Sequence, residues 1–327
     1  MDVLKVADRN ERTGIAVAGT LLVDKLYEID AYPAAGELTK IKSVSLSVGG
    51  LVANNGIGLK RIDPQIPIFA IGRVGKDTEG DFALELMARE GVDTSCIIRS
   101  DTERTGFTDV MSVIGGQRTF FTYAGGSANF GYGDIPWERL SCRMLHLGYL
   151  LLLDRVDMGD GVRILKKAKE MGITTSIDLV SENSDRYSRV LPILPYVDNL
   201  ILNELEAGKL AEIEPTAEKL SAIAQKLLSL GVRERVIIHT PTMALCADAQ
   251  GCTVLPSLSL PKGYIQGTTG AGDAFCSGAL VGIYHGKSNE EILHIARMAA
   301  AASLRAVDAT SGLCPLASLY ELAKTLE

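Results

Sequence analysis

Residues Gly267 to Phe275 read GTTGAGDAF, and a small-residue apolar run, Phe275 to Ile283, follows at once. This order predicts a turn that opens a helix. Glycines let backbone N–H groups approach a ligand closely, and the first turn of a helix leaves its N–H groups without intrahelical partners. With the helix dipole these groups form an anion site. Asp273 is the odd member. A carboxylate at a helix start ordinarily contributes a stabilising charge or a cap. Beside a bound phosphate it would be repelled, unless it takes a proton from the group that attacks that phosphate.

Moving outward, the chain before this stretch alternates strand and helix. Met144–Leu147, Thr174–Asp178, Leu200–Leu202 and Arg235–His239 read as short buried strands, with helices over Asp160–Glu170 and Ala217–Leu230. An alanine-rich helix, His294 to Arg305, follows the opening stretch, and a helical tail ends the chain. Nearer the N-terminus, Gly14–Gly19 and Ile66–Ile71 read as buried strands, and Leu51–Leu59 and Asp77–Glu90 as helices. This alternation predicts a doubly wound α/β fold, a mostly parallel sheet with helices on both faces. Two segments do not fit that rhythm. Glu37–Val48 alternates polar and apolar residues, and Thr105–Tyr123 reads as two such strands joined at Gly115-Gly116. They predict a small β-sheet lid, inserted at about 36–48 and 105–123 into a single domain spanning 1–327.

The totals exclude several classes. With 33 basic and 40 acidic side chains the net charge is −7, which argues against a nucleic-acid surface or an anionic membrane. No apolar run reaches the length of about 18 residues needed to span a bilayer. The N-terminal MDVLKVADRNERTG has no signal-peptide core. The 6 cysteines are scattered without metal spacing and fit reduced core thiols, so a cytoplasmic protein is expected. The 4 histidines lie far apart and are taken as structural.

Two common nucleotide signatures fail at named residues. A P-loop ending at Gly286-Lys287-Ser288 would need glycine at Val281. A dinucleotide fingerprint beginning at Gly270 and Gly272 would need glycine at Phe275. GTTGAGDAF instead resembles the C-terminal signature DTTGAGDxF of the PfkB, or ribokinase-like, family of carbohydrate and nucleoside kinases. Gly49-Gly50-Leu51-Val52-Ala53-Asn54 resembles the family's GGxxxN, Phe69 to Gly80 its VGxxGxDxxG stretch, and Asn203-Glu204-Leu205-Glu206 its NxxE motif. The motifs occur in family order over about residues 14–315.

The resemblance implies an ATP-dependent phosphotransferase that moves the γ-phosphoryl group to a hydroxyl, a primary one, of a small sugar. Asp273 would be the general base, and the backbone N–H groups of Gly270, Ala271 and Gly272 the anion hole. Asp24, Gly49, Gly50 and Asn54 would bind the acceptor. Asn203 and Glu206 would help hold Mg²⁺ through water, and Thr240 and Thr269 would join them in binding ATP. Without the resemblance, Asn203 and Glu206 read equally well as a helix cap with an acidic first turn. The small sheet would cover the acceptor and pair two subunits into a homodimer. The alternatives are a nucleoside kinase of the same fold and a non-catalytic sugar- or nucleotide-binding protein.

The chain departs from the family pattern at three places. Gly267 replaces an Asp that helps hold a monovalent cation, so activation by K⁺ is not expected. Thr240 and Met243 replace glycines where the loop approaches the nucleotide, which leaves the adenine side open. Leu51 stands where members acting on ribose or phosphorylated sugars often carry Lys, which favours a neutral sugar or a nucleoside.

Overall fold

The computed structural model describes residues 12–113, 117–182 and 184–326. Strands β1 (Ile15–Gly19), β2 (Leu22–Ile29) and β3 (Ile41–Gly49) lead into helix α1 (Leu51–Ile62). Next come β4 (Ile68–Ile71), β5 (Arg73–Gly75), α2 (Thr78–Arg89), β6 (Ile98–Ser100), β7 (Gly106–Val113) and β8 (Arg118–Tyr123). The middle of the chain forms β9 (Met144–Leu150), α3 (Gly161–Glu170), β10 (Thr174–Leu179), β11 (Asn199–Asn203), α4 (Glu204–Ala211) and α5 (Leu220–Ser229). It ends with β12 (Arg235–His239), β13 (Met243–Asp248), β14 (Gly251–Pro256), α6 (Ala271–Tyr284), α7 (Asn289–Ser303) and α8 (Leu316–Leu326).

The main sheet has eight strands in the order β14-β13-β12-β11-β10-β9-β1-β4. From β12 to β4 every neighbouring pair is parallel, and β13 and β14 close the other edge as an antiparallel hairpin. The sequence of β1 explains its central place. Successive side chains of a strand point to opposite faces. Ile15 and Val17 enter one apolar core with residues of α1, α6, α7 and α8, while Ala16 and Ala18 enter a second core with residues of α3, α4 and α5. A strand covered on both faces reads as an unbroken apolar run, which is what IAVAG is. The doubly wound fold expected from the alternation is therefore present.

The separate small sheet has the order β3-β2-β7-β8, with β2 antiparallel to β3 and parallel to β7. Two of its strands, β3 and β7, start later than the sequence suggests, at Ile41 rather than Glu37 and at Gly106 rather than Thr105. The expected Gly115-Gly116 turn lies outside the described residues. The inner strand β2 has no strict alternation in LVDKLYEI and escapes a pattern reading. Its ladder partners on both sides supply the order that its own sequence does not. The sheet leaves Val44, Leu46 and Phe121 more than half exposed, at 61%, 52% and 57%.

Candidate active site

Gly270 is the N-cap of α6 and has φ 75, in the left-handed region. A Cβ there would collide with Ala309, so the turn that starts α6 requires glycine. The turn delivers Asp273 into the first helical turn, where its side chain is buried. Asn54 Nδ2, from α1, donates to Asp273 Oδ2 at 2.9 Å. The Tyr149 hydroxyl, from β9, lies 3.0 Å from Oδ1 and 2.9 Å from Oδ2 and donates to the carboxylate. Burial above all, then the charge of Asp178, pushes the Asp273 carboxyl up to about 7, against the opposing hydrogen bonds from Tyr149 and Asn54. A carboxylate with that proton affinity is matched to taking a proton near neutral pH.

Asp178, at the C-terminal end of β10, accepts a hydrogen bond from Tyr149 N–H at 2.6 Å. It is braced from below. His146 Nε2 lies 3.5 Å from Asp178 Oδ2 and 3.5 Å from Cys276 Sγ, while His146 Nδ1 shares a 2.8 Å hydrogen bond with Ser176 Oγ. Two non-glycine residues here are left-handed, Tyr149 (φ 56) and Leu151 (φ 79). Such conformations cost on the order of 1–3 kcal/mol each and persist only where surrounding contacts impose them.

The acceptor set expected from the sequence converges on the same carboxylate. Asn54 touches it directly, and its Oδ1 is buried without a hydrogen-bond partner. Asp24, on β2, is pushed up to about 6 by burial, against a hydrogen bond from Thr108, and its charge is felt at Asp273. A Cβ at Gly49 would stand 2.5 Å from Asp24 Oδ2, and Gly50 is the N-cap of α1, the helix that presents Asn54.

Asn203 and Glu206 form a reciprocal capping box at the start of α4. Asn203 Oδ1 accepts from Glu206 N–H at 2.9 Å, and Glu206 Oε2 accepts from Asn203 N–H at 3.1 Å. Glu206 Oε1 also accepts from Asn203 Nδ2 and from Ser181 Oγ, each at 2.8 Å. Burial nevertheless pushes Glu206 up to about 7. Both residues line a cavity of about 230 Å³ that also reaches Asp178, Gly270, Gly272 and Asp273.

A second cavity, about 440 Å³, adjoins the first and shares Asn203, His239, Thr268, Ala271 and Gly272 with it. Its walls are mostly apolar and include Met243, Leu258, Ile265, Phe275 and Leu304, with Thr240 among them. The α6 N-terminus thus stands between a polar space and an apolar one. The missing glycines at 240–243 do not obstruct it. Thr240 Oγ1 accepts from the N–H groups of Thr242 and Met243 at 3.1 and 3.0 Å, and no residue of this loop has a left-handed φ. His239, taken from the sequence as structural, lines both cavities. Burial lowers it to about 4, so its imidazole is neutral, and its ring lies 4.7 Å from that of Phe275.

Thr269 does not line either cavity; its hydroxyl accepts from Arg118 of β8 at 2.6 Å and so ties the small sheet to the turn. At Gly267 a Cβ would stand 2.7 Å from the Ala306 carbonyl oxygen and 3.0 Å from that of Val307, so the chain is packed around the absence of a side chain. Sequence reasoning missed Tyr149, Asp178 and Arg118. Asp178 was within reach, since the C-terminal ends of parallel strands are where α/β sheets bind ligands.

Residues 13–314 match the sequence profile of the pfkB family of carbohydrate kinases. The chain is 27% identical over 309 residues to a ribokinase of Arabidopsis thaliana, covering 91% of this chain and 79% of that protein. Its fold superposes with a TM-score of 0.79 on the structure of Arabidopsis thaliana ribokinase complexed with ribose and ATP, at 23% identity, covering 96% and 99% of the two chains. It superposes with a TM-score of 0.77 on the nucleoside kinase of Methanocaldococcus jannaschii, at 17% identity, covering 96% and 99%.

Proposed function

The chain belongs to the pfkB family of carbohydrate kinases, and from that premise we propose that it transfers the γ-phosphoryl group of ATP to a hydroxyl, a primary one, of a small sugar. The supporting observation is Asp273, a buried carboxyl poised at about 7, at a helix N-terminus where a polar and an apolar cavity meet. The acceptor hydroxyl gives its proton to Asp273 as its oxygen bonds to the γ-phosphorus, and the bond from that phosphorus to the ADP oxygen breaks. The backbone N–H groups of Gly270, Ala271 and Gly272 would receive the charge on the transferred group, with Ala271 N–H leaving its long 3.4 Å bond to the Thr268 carbonyl. One such donor is typically worth ~10²–10³ in rate. Asp24 and Asn54 hold the acceptor's other hydroxyls, with Asn54 Oδ1 free to accept one.

The apolar cavity suits the nucleotide base, with Thr240 in its wall, and the polar cavity suits the phosphates. Asn203 and Glu206 would hold, through water, a Mg²⁺ that would neutralise charge on the phosphates. Asn203 and Glu206 fit a hydrated ion. Their oxygens already serve the capping box, and a water-mediated contact suits an ion that gives up its water reluctantly. Thr269 contributes by holding the small sheet over the site through Arg118. In this reading the sheet is a lid that excludes water, and its exposed Val44, Leu46 and Phe121 pair with a second copy of the chain.

The test is release of ADP from Mg²⁺ and ATP over a panel of sugars and nucleosides. ADP formation that depends on a neutral sugar is the expected result. A response to nucleosides alone would move the acceptor class, and no ADP above background with any acceptor would leave only ligand binding.

A further inference from the structure

Tyr149 takes no part in the steps above, yet its hydroxyl is within hydrogen-bond distance of both oxygens of the base. We propose that the Tyr149 phenol is the resting occupant of the place that the acceptor hydroxyl takes on Asp273, and that it withholds the base from water until an acceptor displaces it. The inference rests on Asp273 being the general base.

Three observations carry it. A hydroxyl passes its proton to a base from about 2.6–3.2 Å. The phenol oxygen stands at 3.0 and 2.9 Å from the two carboxylate oxygens, in the position a reacting hydroxyl needs. The backbone that carries the phenol is also closely fixed. Tyr149 and Leu151 are left-handed without being glycine, the Tyr149 N–H is fixed on Asp178 at 2.6 Å, and a Cβ at the preceding Gly148 would collide with Leu51 and Asp178. Finally, Tyr149 lines the cavity of about 230 Å³, so the ring borders open space rather than core on that side.

Water is the competitor that such a device would exclude. In the side reaction a water oxygen bonds to the γ-phosphorus, the bond to ADP breaks, and the water proton goes to Asp273. With Asn54 bonded to Oδ2, a phenol set between the two oxygens takes a position from which a water molecule would give up its proton, and water must displace it to react there. An acceptor held also by Asp24 and Asn54 can displace the phenol, whereas water has no such additional contacts.

Tyr149→Phe in the full chain tests this. ADP release from Mg²⁺ and ATP without acceptor should rise about five- to tenfold, the factor that corresponds to one hydrogen bond's net contribution. The KM of the acceptor found by the panel should fall by a similar factor, because the acceptor no longer competes with the phenol. The acid limb of kcat/KM should also move to higher pH. The Tyr149 hydrogen bond helps keep Asp273 ionised, while the neighbouring Asp178 and Asp24 oppose ionisation and the remaining Asn54 bond favours it. Unchanged acceptor-free hydrolysis with unchanged acceptor KM overturns the inference. A loss of turnover with KM unchanged overturns it too, because the phenol would then belong to the reacting complex. Should Tyr149→Phe lose its cooperative melting transition, Tyr149→Met carries the same expectations with an unbranched side chain. A wild type that releases no ADP with any acceptor removes the kinase assignment of Asp273 and this inference together. A wild type that turns over beside a Tyr149→Phe with flat hydrolysis removes only this inference.

Discussion

Asp273→Asn separates chemistry from stability in one substitution. The amide keeps the shape of the carboxylate but cannot take the acceptor proton. General-base catalysis contributes typically ~10²–10⁴ in rate, so turnover should fall by that factor, about 3–5 kcal/mol of barrier. ATP binding should remain measurable, because the α6 N–H groups are untouched. Stability should move the other way, and only at high pH. The Asp273 carboxyl is raised from 3.8 to about 7 in the fold, so its contribution to stability is fully present below pH 3.8 and is lost as pH rises through about 7. The full difference corresponds to about 4 kcal/mol at pH 8. Asparagine removes that penalty but brings two N–H donors against Asn54 Nδ2 and the Tyr149 hydroxyl, which themselves donate to residue 273. One donor left unsatisfied costs about 1–3 kcal/mol. The net gain of about 1–3 kcal/mol should raise the melting temperature by several degrees at pH 8. At pH 4 only the cost remains, and the variant should melt no higher than wild type. ADP-release kinetics and thermal denaturation at the two pH values measure both effects. Wild-type-like turnover, or an equal melting shift at pH 4 and pH 8, refutes the assignment of a buried, charged base.

Glu206→Gln should raise the KM for Mg–ATP about tenfold, the effect of about 1.4 kcal/mol, while a purely capping role would lower the melting temperature and leave KM alone. Exchanging K⁺ for a bulky organic cation should leave turnover unchanged, and a steep rise on returning K⁺ would show that Gly267 has not removed the cation site. Gly267→Asp should destabilise the protein by about 1–3 kcal/mol in a melting experiment, because the new side chain meets the Ala306 and Val307 carbonyls. Leu46→Glu should turn a dimer into a monomer by light scattering, and a wild type that is already monomeric would show that the exposed face of the small sheet serves another purpose.

The fold was legible wherever local sequence and tertiary environment agreed. IAVAG, the apolar centres of β11 and β12 and the helical spacing of α3 and α5 carry their burial in the letters, while β10, TTSIDL, is buried despite its polar residues. Segments whose order comes from partners were harder. β2 is a strand because β3 and β7 flank it, although Asp24, Lys25, Tyr27 and Glu28 dilute its pattern. The β13–β14 hairpin sits at the sheet edge, where β14 alternates only weakly between exposed and half-buried positions. Helix starts were the less legible part: the expected His294–Arg305 helix begins at Asn289, behind a Ser288–Glu291 capping box, whereas the expected Ala217–Leu230 helix does start at Ala217, as a 3-10 turn that becomes α-helical at Leu220.

The site divides along the same line. Gly270 to Asp273 and Asn203 to Glu206 are each contiguous, and each contains the turn or cap that orients it, so their chemistry shows in the letters. Tyr149 has no such local signature. Its hydroxyl reaches Asp273, 124 positions away, from a left-handed backbone whose N–H is held by Asp178 and which follows a glycine with no room for a Cβ. Of those causes only Gly148 appears in HLGYLLL, and nothing in that string ties it to Asp273. The part of the site shown by its motifs is therefore the part to which the proposed phosphoryl transfer is assigned. The part hidden from the sequence is where this chain controls access to that chemistry, and it calls for substitutions at Tyr149, Gly148 and Asp178 rather than at the motifs.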